Sequence, residues 1–60
     1  PLPLHIRLVT QALVDRICVK AFRELAEHEG FEQARQTLMS CAVLESKAAE
    51  GIEGMLAVAA

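Results

Sequence analysis

The chain has 60 residues, 53% of them hydrophobic and only 3% aromatic, with a formal net charge of −2. That length allows one small domain over residues 1–60, whose core is marginal without a staple, a metal or a partner chain. The near-neutral balance argues neither for nucleic acid nor for strong repulsion from it, and no run approaches the roughly 20 apolar residues of a membrane span.

Pro1-Leu2-Pro3 reads as extended, because a residue before Pro avoids the helical region. Pro3 suits the first turn of a helix, where its missing N–H costs nothing. Thr10 competes as an N-cap, which would leave Leu4–Val9 extended. The alternation of Leu4, Ile6 and Leu8 with His5 and Arg7 is the one strand-like signal. No basic start followed by an apolar run marks a secretory signal, so a cytoplasmic chain is expected.

A first helix is expected over about 4–29. Leu13, Ile17, Ala21 and Leu25 recur at helical spacing, with Val14, Cys18 and Ala26 beside them. Asp15, Arg16, Lys20, Arg23, Glu24 and Glu27 cover the other side. Gly30 marks the turn, as glycine ends a helix cheaply in the left-handed conformation. A second helix is expected over about 31–58. Phe31, Ala34, Leu38, Cys41, Ala42, Ala48 and Ala49 form its stripe, and Glu45 must lie at the edge or find a partner. Gly51 and Gly54 weaken that helix by roughly 1 kcal/mol each relative to Ala.

These elements predict an all-α fold: an antiparallel helical hairpin that completes a four-helix bundle by dimerisation. A fold centred on Gly30 sets Leu25 against Ala34, Ala21 against Leu38 and Cys18 against Cys41. Large residues then face small ones. The two cysteines are expected as reduced, part-core thiols; a cross-helix disulfide needs closer Cα atoms than packed helices usually provide. With His5 and His28 far apart and no C-x-x-C spacing, neither a metal nor another cofactor is expected.

The function class that fits is a non-enzymatic interaction or regulatory module. It would self-associate and bind a protein partner through an apolar helix face laid into a groove. Leu38, Ile52, Met55 and Leu56 are the expected anchors. A second reading gives Arg16, Lys20 and Arg23, at i, i+4 and i+7, to RNA phosphates, although acidic neighbours and the lack of Tyr and Trp make nucleic acid the weaker partner.

A third reading starts from Pro1. A chain of about 60 residues opening on Pro, with a strand-like Leu4–Leu8 and a Gly51-Ile52-x-Gly54-x-Leu56-Ala57 end, resembles the 4-oxalocrotonate tautomerase family. The resemblance implies a small β-α-β subunit, Pro1 as general base, an anion-binding Arg7 or Arg35, and a second strand near Thr37–Glu45. Thr10 and Gln11 stand where that family has Arg and Gly, and Met39 where it has another Arg.

Overall fold

Pro3 sets the start of the first helix. It is extended, at φ −54° and ψ 152°, and its carbonyl accepts the Arg7 N–H at 3.1 Å. The computed structural model describes residues 1–59. Among these the chain forms two helices, α1 (Leu4–His28) and α2 (Glu32–Ala59), packed antiparallel against each other. The all-α hairpin is therefore the fold, and the described residues contain no strand. The β-α-β alternative is overturned: Leu4–Leu8 is the first turn and more of α1, and Thr37–Glu45 lies inside α2. Thr10 caps nothing; its hydroxyl donates to the Ile6 carbonyl at 2.8 Å, one turn back within α1.

The turn is made differently from the expectation. No described glycine has a positive φ, so Gly30 is not a left-handed cap. Glu29 leaves the helix instead, at φ −84° and ψ 123°, while its N–H donates to the Ala26 carbonyl at 3.3 Å. An extended residue turns the chain out of the helix as effectively as a left-handed one, provided its neighbours' polar groups are satisfied. The Glu29 carboxylate does this by accepting the Phe31 N–H at 3.1 Å. The Phe31 carbonyl then accepts the Arg35 N–H at 2.9 Å and opens α2. Helix α2 runs through Gly51 and Gly54 without a break.

The seam between the helices follows alternating steps of three and four residues. On α1 it runs through Leu8, Ala12, Asp15, Val19, Phe22 and Ala26, and on α2 through Leu38, Ala42, Glu45, Ala49, Ile52 and Leu56. All twelve are buried or part-buried. This is the heptad pattern that keeps one line of side chains facing a partner helix. The expected α1 stripe was another one. Leu13, Ile17, Ala21 and Leu25 are all exposed. Steps of four residues advance by 400°, so a row of them drifts about 40° per step around the helix and cannot stay in a straight seam. Phe31 and Ala48 of the expected α2 stripe are also exposed, whereas Ala42 and Ala49 are buried. Consequently Phe22 and Ala26, not Ala21 and Leu25, take the seam positions near the turn.

The fully closed part of the seam is small. Among the described residues its buried apolar set is Ala12, Val19, Ala26, Ala42 and Ala49, and no large side chain is fully buried. Asp15 is buried with them, 5% exposed, and accepts a hydrogen bond from Gln11 Nε2 at 2.7 Å. A seam carboxylate costs desolvation that one exposed amide offsets only in part. Asp is also a poorer helix former than Ala. Asp15→Ala is therefore expected to raise stability by about 1 kcal/mol, read as a higher urea midpoint by circular dichroism. A loss of stability would show that Asp15 holds the seam together.

Candidate functional site

Each helix has two flanks beside the seam, and one observation fixes how they pair. Arg16 Nε donates to Glu53 Oε2 at 3.0 Å, Arg16 Nη2 to Glu53 Oε1 at 2.5 Å, and Arg16 Nη1 to Ser46 Oγ at 3.5 Å. The flank holding Arg16 and Arg23 on α1 thus shares one side of the hairpin with the flank holding Met39, Ser46 and Glu53 on α2. A shallow pocket lined by Arg23, Ala26, Glu27, Arg35 and Met39 lies on that same side. The remaining flanks share the opposite side. They carry Gln11, Cys18 and Leu25 on α1, and Ala34, Cys41, Ala48 and Met55 on α2.

The two sides differ in charge. The first holds Arg16, Lys20, Arg23, Glu27 and Glu53. On the second, the flanks and their outer neighbours again step by three and four. Val14, Cys18, Ala21 and Leu25 run along α1; Cys41, Leu44, Ala48, Met55 and Val58 run along α2. Among the described residues of these two rows, Arg7 is the only one with a permanent charge. Leu25, Leu44, Met55 and Val58 are exposed there, Val58 to 90%. An apolar surface reaching across two helices is more than the scattered exposure of an ordinary soluble surface.

The expected anchors divide between seam and face. Leu38, Ile52 and Leu56 are part-buried seam residues packed toward α1, and Met55 alone of the four is exposed on the uncharged side. Leu44 and Val58 were not singled out by sequence reasoning. The three-and-four spacing that carries them was legible, but it is shared by seam and outer face and so does not by itself say which is which. Cys18 and Cys41 are both free thiols, part-buried at the edge of the same uncharged face. Among the described residues no group of three or more His, Cys, Asp and Glu is placed to hold a metal ion. No described helix is long and apolar enough to cross a membrane.

Of the basic trio, Lys20 and Arg23 are exposed, and Arg16 is engaged with Glu53. Pro1 is exposed and precedes α1. Arg7 lies on α1, and Arg35 pairs with Glu32 in the first turn of α2. Comparison with known proteins gives no match: no family model, no curated protein and no solved structure.

The ion pairs shift their own titrations. The Arg16 hydrogen bonds hold the Glu53 carboxyl below the ordinary glutamate value of 4.5, and Arg35 does the same to Glu32 through its own hydrogen bonds. A carboxyl depressed in the folded state contributes stability that is complete above the unfolded value and is lost as pH falls through the folded one. Both partners of the Arg16–Glu53 pair are half-exposed, so the effect is small. Glu53→Gln is expected to lower the melting temperature slightly at neutral pH, with the gap to the native chain closing below pH 4.5. A gap still open at about pH 2, where free carboxylates are protonated, would mean that the residue acts through something other than its charge.

Proposed function

We propose that this chain is a non-enzymatic interaction module that works by self-association and by docking a protein partner on an apolar helix face. The observation that carries the reading is the uncharged side of the hairpin, on which Leu25, Leu44 and Met55 are exposed on two adjacent helices. Burying one such side chain is worth about 1.5–3 kcal/mol, so three or four together supply the affinity of a helix-in-groove contact. Leu38, Ile52 and Leu56 support this face from the seam beneath, and Met55 stands on it as an adaptable contact.

Two measurements on the full chain test the reading: mass in solution by sedimentation, and fluorescence of 1-anilinonaphthalene-8-sulfonate, a dye that brightens on apolar protein surface. An associated chain is expected, or, under dilution to the monomer, a helical chain that brightens the dye. A helical monomer that leaves the dye dark would overturn the proposal, because no apolar face would then be free to bind anything.

A further inference from the structure

We infer that the occupant of the uncharged face is the same face of a second copy, related by a two-fold axis, with Leu44 in the middle of the contact and Leu25 and Met55 toward its two ends. The inference rests on the interaction-module reading above and names its partner. The intrachain core motivates it first. Five small residues, four Ala and one Val, are the buried apolar set, and a chain of 60 residues with so little core needs apolar burial from outside itself. A second copy is the one partner present whenever the chain is present.

The dimensions fit. The Cα atoms span 42 Å by 21 Å across the hairpin and only 13 Å through it. Each broad side therefore offers about 900 Å², against the roughly 800 Å² that each partner buries in a stable standard-size complex. The hairpin is one layer thick, and a second layer on the uncharged side gives the four-helix cross-section in which such seams close.

The chemistry of the face selects a copy of itself. A two-fold contact sets a surface against its own image, so any charge near the axis meets its like. The side carrying Arg16, Lys20, Arg23 and Glu53 is poorly suited to that. Along the two rows of the uncharged side the permanent charge is Arg7, at the open end of the hairpin and away from Leu44 in its middle. Glu24 stands at the edge, lining a shallow pocket with Ala21, Leu25 and His28. This side also offers no charge pattern that would select a different chain of opposite sign. Its large residues stand beside small ones: Leu25 near Ala21, Leu44 and Met55 near Ala48 and Gly51. Such a surface supplies both the projections and the recesses of its own image.

Two exposed residues on unlike sides give the test. Leu44 and Val9 are both exposed in the hairpin, 66% and 43%, so neither substitution disturbs the seam. Leu44 belongs to the uncharged face, whereas Val9 stands on α1 two turns before Arg16, on the charged side. Sedimentation equilibrium of the native chain is expected to give twice the 6.5 kDa chain mass. Leu44→Glu is expected to weaken the dimer more than about 100-fold, since the two-fold brings a new charge from each copy into apolar surface. Val9→Glu is expected to change it less than about threefold, as for a surface site outside the contact. Helical circular dichroism of each variant confirms that it folds. A dimer that survives Leu44→Glu, or that Val9→Glu dissociates equally, overturns the inference. A native chain that stays monomeric also overturns it. If that monomer brightens the dye, the partner-docking part of the interaction-module reading stands without self-association; if not, both fall.

Discussion

The structure depends on the smallness of the side chains between its two helices. Ala12 and Ala26 on α1 and Ala42 and Ala49 on α2 keep the seam narrow. Narrowness brings backbones together and gains many weak dispersion contacts. It also limits how much apolar area the hairpin can remove from water, at about 25 cal/mol per Å². With alanines filling the closed positions, most of the Leu, Ile, Val and Met side chains stand outside the seam. The exposure of Leu13, Ile17, Leu25, Leu44 and Met55 is thus a direct result of the packing chosen inside.

The polar groups within and beside the seam give the hairpin its register and its two unlike sides. Asp15 on α1 and Glu45 on α2 each interrupt the apolar line of their helix. A polar residue at a seam position lowers stability and at the same time penalises any slip that would set it against a fully apolar layer. The Arg16 guanidinium adds a directional tie, reaching both carboxylate oxygens of Glu53 from the opposite helix. A planar donor bonded to two oxygens fixes geometry more than it adds energy at an exposed site. Its effect is to commit one broad side of the hairpin to charge.

The fold was legible in the sequence for local reasons. Two long runs rich in helix formers, separated by His28-Glu29-Gly30-Phe31, leave little room for another class, and the spectrum of β-branched residues is too thin for a sheet. The alternation at Leu4–Leu8 looked like a strand because five residues cannot distinguish a period of 2 from the edge of a helix. The seam was less legible. Leu13, Ile17, Ala21 and Leu25 are larger on average than Ala12, Asp15, Val19 and Ala26, so hydrophobicity alone favours the row that is exposed. Size and spacing conflict at this point, and close helix packing favours the smaller row. On α2 the two criteria agree at Ala42 and Ala49, and there the sequence reading matched. The proposed face was only partly visible: Met55 was recognised as an anchor, but Leu44 was hidden among residues whose phase relative to α1 no single-helix pattern supplies.

That phase is set at the turn. Only residues 29–31 connect the helices, too few for either helix to rotate freely about its own axis once Glu29 has bound the Phe31 N–H. Rotation of α2 by one residue step, 100°, would move Leu44 and Met55 out of line with Leu25 and break the Arg16–Glu53 contact at the same time. The turn and the ion pair, well separated along the hairpin, therefore enforce the same rotational setting. A surface composed from two helices needs that agreement more than either helix needs it for its own stability. The turn does not draw on the conformational freedom of glycine: Gly30 takes no left-handed conformation, and the carboxylate before it carries the geometry. What the short connection achieves is to gather the uncharged residues of both helices onto one continuous side, leaving the other side for the charges.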